Sequence, residues 1–165
     1  IKLYHTTNNA QGRVAVSESE MSEIQKVRDS SRRIVRELGF MKPTVAGTDL
    51  PPSAVHSIIE IGSNDGLTAG ALGEILNLEK SSVSRMLRKL IDAGEVEERV
   101  NPNDARSKLL RLTVQGEATF AAINRFGHGQ VAAAFLHLSD DQRRIVVAGL
   151  SAYAEALHRV RAEEG

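Results

Sequence analysis

The sequence predicts a mainly helical chain carrying one small β-hairpin. Three observations lead there. Apolar residues recur at helical spacing over most of the 165 residues. Two of the helical segments are separated only by Asn77-Leu78-Glu79, a connection short enough for a helix-turn-helix. Directly after them, residues 96–100 and 108–112 read as strands enclosing the polar loop 101–107.

Residues 1–16 show no sustained period and read as an N-terminal arm. Ser17-Glu18-Ser19-Glu20 then fits a capping box, in which a hydroxyl and a carboxylate each satisfy an orphan backbone donor. Ile24, Val27, Ser31, Ile34, Val35 and Leu38 continue at helical spacing as far as Phe40, with Gly39 and Pro43 as the stop. The other face carries Lys26, Arg32, Arg33 and Arg36 among acids. Residues 44–50 form a connection. Pro51-Pro52-Ser53 opens a second helix through Ile61, since the amide that proline lacks has no helical partner in the first turn anyway. Ala54, Val55, Ile58 and Ile61 are its buried stripe, and the run from Gly62 to Gly66 is a turn.

Thr68 is the N-cap of a short helix reaching about Leu76. The next helix runs from Lys80 to Ala93, is stopped by Gly94, and turns Val83, Leu87, Leu90 and Ile91 inward. Beyond the hairpin, Thr113 caps a long helical stretch containing Phe120, Ile123, Val131, Phe135 and Leu136. Its Gly127-His128-Gly129 is expected to loosen or kink it, because a helical glycine costs about 1 kcal/mol relative to alanine. Ser139-Asp140-Asp141-Gln142 repeats the capping pattern and opens a last helix with Ile145, Val146, Leu150, Tyr153 and Leu157.

Composition narrows the function classes. The 21 basic and 21 acidic side chains cancel, which speaks against a polybasic binder held by bulk charge. A hydrophobic content of 41% and a charged content of 25% belong to an ordinary globular protein. Cysteine is absent, so no disulfide, Cys-based zinc site or thiol sensor exists here. His5, His56, His128, His137 and His158 form no pair at the spacing that places two ligands on one helical face, so no structural metal or other cofactor is expected. Four Phe, two Tyr and no Trp make stacking on single-stranded bases a poor main activity. No apolar run approaches the ~20 residues of a membrane span, and no secretory signal opens the chain. The expectation is a cytoplasmic protein that is not an enzyme. The chain begins with Ile1 and reads as processed or incomplete.

The helix after the tight turn carries the functional signal. From Lys80 to Ile91 it holds Lys80, Arg85, Arg88 and Lys89 and no acid, interleaved with Ser81, Ser82 and Ser84. A helix fits the major groove of DNA, where Arg and Lys read guanine acceptors and small hydroxyls reach bases or phosphates. Its N-terminal residues usually make the base contacts. A solvated polar face accounts for the same charge run. Arg106 lies in the hairpin loop two residues after Asp104. There a guanidinium can enter a minor groove, with Asp104 orienting it or capping the loop. An ordinary turn with a weak ion pair is the plainer reading. Arg99, Lys108 and Arg111 add cations near the strands. The neutral total is partitioned: residues 80–111 carry a net +3 and residues 42–79 a net −4.

Taken in order, these residues resemble the MarR family of bacterial regulators. The resemblance extends from Leu50, Ile58 and Ile61 through Leu67-Thr68 and Leu72 to Lys80-Ser81-Ser82-Val83-Ser84-Arg85. It continues with Leu90, Ala93-Gly94, Val96-Glu97-Glu98-Arg99, Asp104-Ala105-Arg106 and Leu112-Thr113-Val114-Gln115-Gly116. It implies a winged helix-turn-helix lobe at 44–112, an N-terminal dimerisation helix within 17–43 and C-terminal dimerisation helices at 113–165. The implied partner is double-stranded DNA, bound by a homodimer on a pseudo-palindromic operator, with no membrane involvement. The DNA-contacting set is Lys80, Ser81, Ser82, Ser84, Arg85, Arg88, Lys89, Arg106 and Lys108, with Asp104 as the residue that orients the wing. Many relatives also bind small aromatic or anionic effectors, which here implies Arg33, Phe40, Met41 and His56; a half-exposed helical histidine accounts equally for His56. Three positions depart from the family pattern: Ala105 where another arginine is common, Asn101 where an acid is common, and Ala54 where glutamine is frequent.

Two other classes compete with a ligand-responsive repressor. One is the regulatory half of a regulator–acetyltransferase fusion. Asn124-Arg125-Phe126-Gly127-His128-Gly129 does not match an acetyl-CoA loop at its first position, and no nucleophile–base pair is evident. The other is a winged-helix module that binds protein, against which the acid-free Lys80–Ile91 face argues.

Overall fold

The computed structural model describes residues 17–164; the arm at 1–16 lies outside them. The described residues form α1 (Glu18–Glu37), α2 (Pro52–Ser63), α3 (Ala69–Leu76), α4 (Lys80–Asp92), β1 (Val96–Asn101), β2 (Asp104–Leu112), α5 (Val114–Phe135) and α6 (Asp140–Glu164). They fall into two units, divided between Met41 and Lys42.

In the first unit the capping box closes as its sequence requires. The Ser17 amide donates to the Glu20 carboxylate at 2.7 Å, and the Ser17 hydroxyl accepts from the Glu20 amide at 3.2 Å. Hydrogen bonds to Ser17, the backbone one foremost, hold the Glu20 carboxyl below the usual carboxylate range. The helix ends at Glu37, short of Phe40, with Leu38 as its C-cap. Ile24, Val27, Ile34, Val35 and Leu38 keep the expected spacing, and all of them are exposed.

In the second unit α2 is the central element, packed against α3, α4, α5 and β2. Its expected stripe, Ala54, Val55, Ile58 and Ile61, is buried throughout. Leu72 of α3, Val83, Leu87 and Leu90 of α4, Val96 of β1, Leu110 of β2 and Ile123 of α5 complete the core. The inner face of α4 differs from expectation at one position. Met86 is buried beside Val83, Leu87 and Leu90, while Ile91 is 37% exposed. The i, i+3, i+4, i+7 stripe is complete without Ile91, which lies about 100° further round the helix than Leu90.

The connection before α2 holds one strained residue. Ala46 (φ 56°) and Gly47 (φ 67°) both occupy the left-handed region while the Thr48 amide donates to the Val45 carbonyl at 3.1 Å. A turn with two such residues favours Asn-Gly, because an alanine Cβ is strained at positive φ. Ala46→Asn is therefore expected to raise stability by about 1 kcal/mol, read as a higher urea midpoint.

The hairpin is longer than alternation suggests. β1 and β2 pair antiparallel from Val96 with Leu112 to Val100 with Lys108, and the register then jumps to Asn101 with Asp104. Only Pro102 and Asn103 remain as the turn, so the expected loop 101–107 is largely strand, with an irregularity at 105–107. Local side-chain bonds impose that jump. Asn101 Oδ1 accepts the Asn103 amide and Asp104 Oδ1 the Arg106 amide, each at 3.0 Å. A third short pairing, Thr68 with Leu109, docks the start of α3 on β2 through the Leu110 amide and the Leu67 carbonyl at 2.7 Å.

The expected interruption at Gly127-His128-Gly129 is absent, and α5 runs unbroken from Val114 to Phe135. Elongating an existing helix needs no new nucleus, and alanines at 121–122 and 132–134 flank the glycines with the best helix formers. The second capping box also forms. The Ser139 amide donates to Gln142 Oε1 at 2.9 Å, and Ser139 Oγ accepts the Gln142 amide at 3.3 Å.

Candidate nucleic-acid interface

Thr68 starts α3, its hydroxyl accepting the Ala71 amide at 3.2 Å. The turn to α4 is three residues long because Asn77 takes φ 53°, a conformation asparagine tolerates better than most residues. The Leu78 amide then donates to the Gly73 carbonyl at 2.9 Å. With Val83, Met86, Leu87 and Leu90 committed to the core, α4 turns the remaining residues to solvent. Lys80, Ser81, Ser84, Arg85, Arg88 and Lys89 are all exposed, and Ser81, Ser84, Arg85 and Arg88 make one stripe at i, i+3, i+4, i+7 spacing. Ser82 sits at the margin, half-buried, accepting from Arg85 Nη2 at 3.4 Å. A groove of about 910 Å³ runs between α3 and α4, edged by Lys80, Ser84 and Arg88 on one helix and by Glu74 on the other.

The hairpin presents Arg106 on its irregular segment, exposed. Asp104 grips the Arg106 backbone amide; among the described residues it makes no ion pair with the guanidinium. Asn101 organises the tip a second way, its Nδ2 donating to Ser107 Oγ at 3.0 Å. The Ser107 hydroxyl already donates to the Asp104 carbonyl at 3.2 Å, so a carboxylate at 101 competes for that proton where the Asn101 amide donates.

Ion pairing divides the cations into two groups. Lys108 pairs with Glu98 at 2.5 Å across the hairpin, Arg99 with Glu97 at 2.5 Å, and Arg111 with Asp65 at 3.1 Å. Among the described residues Lys80, Arg85, Arg88, Lys89 and Arg106 have no ion-pair partner. Within residues 44–112 the unpaired positive charge therefore sits on α4 and at Arg106, while the other cations of the strands are paired.

The residues implied for an effector lie in different units. Arg33 is on α1, 3.8 Å from Glu37, and Met41 is exposed in the first unit. His56 is half-buried on α2 in the second. Among the described residues no cluster of three or more metal-binding side chains occurs, and no helix is long and apolar enough to cross a membrane.

Two helices meeting at a three-residue turn, the second with a basic outer stripe, followed by an arginine-tipped hairpin, define a winged helix-turn-helix lobe. Residues 48–107 match the model of the MarR family, and the lobe they form is similar to that family's winged helix. The HTH-type transcriptional regulator PetP of Rhodobacter capsulatus is 43% identical over 63 residues, which cover 38% of this chain and 36% of PetP. The HTH-type transcriptional regulator BilQ of Clostridium symbiosum is 26% identical over 89 residues, or 54% of this chain and 62% of BilQ. The chain thus spans less than two thirds of either relative. FabT of Streptococcus pneumoniae, solved in complex with DNA, shares the fold with a TM-score of 0.73 at 20% identity, over 83% of this chain and 99% of that one.

Proposed function

We propose that this chain is a non-catalytic transcriptional regulator, a repressor that binds double-stranded DNA as a homodimer on a pseudo-palindromic operator and responds to a small aromatic or anionic effector. One observation carries the reading: within residues 44–112 the cations left without an ion-pair partner among the described residues are those of α4 and Arg106 of the hairpin. A helix so equipped fits the major groove, and an exposed guanidinium on a slender hairpin fits the minor groove beside it. Lys80, Ser81, Ser82, Ser84, Arg85, Arg88 and Lys89 contact bases or phosphates, Arg106 enters the minor groove, and Asp104 sets the backbone that carries it. FabT, a protein of the same fold solved in complex with DNA, supports the choice of DNA as partner. The homodimer is supported by the exposed apolar residues of α1 and by Ile145, Val147, Leu150, Leu157 and Val160 of α6. Apolar surface on that scale is covered in a stable soluble protein. Effector contact through Arg33, Met41 and His56 follows from the family resemblance.

Selection of duplexes by the purified protein tests this. The expected result is enrichment of two related half-sites about one helical turn apart, with dimer-sized particles in sedimentation. Repeating the selection with small aromatic carboxylates tests the effector, which is expected to change retention. No enriched sequence overturns the DNA reading. Salt dependence separates the two groups of cations. Lys89→Ala is expected to lower the slope of log affinity against log salt by about one per protomer. Lys108→Ala, which removes a cation already neutralised by Glu98, is expected to change the slope by less.

A further inference from the structure

The end of α4 and the start of α5 are clasped together by more than the chain's continuity. α4 closes with Gly94 at φ 74°, the Gly94 amide on the Ile91 carbonyl and the Glu95 amide on the Leu90 carbonyl, both at 2.9 Å. Just beyond the helix, the carbonyls of Ala93, Gly94 and Glu95 all accept from the first residues of the α5 segment. Gln115 Nε2 donates to Ala93 at 3.0 Å, the Thr113 hydroxyl to Gly94 at 2.5 Å, and the Thr113 amide to Glu95 at 3.1 Å. Gln115 Nε2 reaches one group more, the side chain of Glu95, whose Oε1 accepts at 2.9 Å. Glu95 is 7% exposed, and its other oxygen, Oε2, is buried without a hydrogen-bond partner. A carboxylate in such a place costs free energy unless donors offset its desolvation. Gln115 is the one side-chain donor that the described residues bring to it.

We infer that Gln115 and Glu95 form a latch that sets the direction of the α4 reading helix relative to α5 and the C-terminal helices. This rests on the DNA reading above, and it identifies two residues that touch no DNA as positioning residues for recognition. In a dimer on a palindrome, the angle between reading helix and dimerisation helices fixes which half-site spacing both subunits can engage. The Thr113 bonds use the hydroxyl and amide of the strand-to-helix exit. Gln115 adds the bond that resists rotation about that exit, because it spans from α5 to both the Ala93 carbonyl and the Glu95 side chain. The solitary Oε2 makes Glu95 a poor choice for stability alone, since an apolar residue there leaves nothing unsatisfied.

The test compares the 165-residue chain with Glu95→Leu/Gln115→Leu and with Gln115→Arg, measuring melting temperature, affinity for the selected operator, and affinity for operators with half-sites moved apart by one or two base pairs. Removing both polar groups leaves no buried orphan, since the Ala93 carbonyl that loses its donor belongs to an exposed residue open to water, so the double variant is expected to melt at or above the wild-type temperature. Its preference for the wild-type spacing is expected to fall on the order of tenfold, while binding to random duplex is unchanged. Gln115→Arg keeps a donor to Glu95 and is expected to retain the preference. A double variant with wild-type spacing preference overturns the latch and leaves the DNA reading intact. A wild-type chain that retains no duplex overturns the DNA reading, and the latch's role with it. A double variant that melts lower and loses random-duplex binding in parallel assigns the pair to stability and overturns the proposal.

Discussion

Replacing Arg85 or Arg106 by alanine will lower affinity for the selected operator by about 5- to 150-fold, the equivalent of about 1–3 kcal/mol for a lost base contact. Arg85 sits in the outward stripe of α4 and Arg106 on the hairpin, and neither has an ion-pair partner among the described residues. Truncating them therefore removes positive charge without stranding an internal carboxylate. Melting temperatures should stay close to wild type, as for surface changes generally. The two arginines share no hydrogen-bond partner, so their losses should add in the double variant. Fluorescence anisotropy on one labelled operator, with a random duplex as reference, makes the measurement. Affinity that survives both substitutions assigns the reading surface elsewhere.

Gly116→Ala will destabilise the protein by about 3 kcal/mol, at the upper end of the cost of overpacking. Gly116 is buried in the first turn of α5, and an alanine Cβ there overlaps the Glu95 carbonyl oxygen. That oxygen is backbone, so no side-chain rotation relieves the collision. Either α5 withdraws from the end of α4, breaking the Thr113 and Gln115 bonds, or the base of the hairpin moves. Urea denaturation measures the loss of stability. A midpoint within the scatter of surface variants shows that the junction yields where its geometry says it cannot. Gly70→Ala, at an exposed helical position with open surroundings, is the matched control and should be neutral or stabilising.

Much of this architecture was legible in the chain because local chemistry acts locally. Both capping boxes, the Thr68 and Thr113 caps and the Asn77 turn depend on residues within a few positions of one another. Each forms with the donors and acceptors its sequence names. The buried stripe of α2 follows from helical period in the same way. The errors share a cause as well. Ile91 fits the period of α4 as well as Met86 does, and only the neighbours of α4 decide which of them is covered. The hairpin turn is shorter than the polar run 101–107 predicts, because polar residues in a strand resemble a turn. Local turns capped by Asn101 and Asp104 let Asn101 pair with Asp104 and keep 105–107 in extended conformation.

The chain alone determined where a basic, acid-free helix lies and that an arginine follows it in a hairpin. Those are statements about which side chains occur at what spacing, and helical geometry converts spacing into a face. The tertiary structure decided which charges that face can spend outside the molecule. Lys108, Arg99 and Arg111 sit beside the same hairpin in sequence as Arg106, yet strand pairing brings Glu98 to Lys108, the two-residue period of β1 puts Glu97 on the same face as Arg99, and folding brings Asp65 to Arg111. Glu95 and Gln115 are separated by the whole hairpin, and nothing in their spacing announces a bond. Antiparallel pairing of Val96 with Leu112 returns the chain to its starting point and makes them neighbours. Contacts that depend on where the chain returns are set by the fold as a whole.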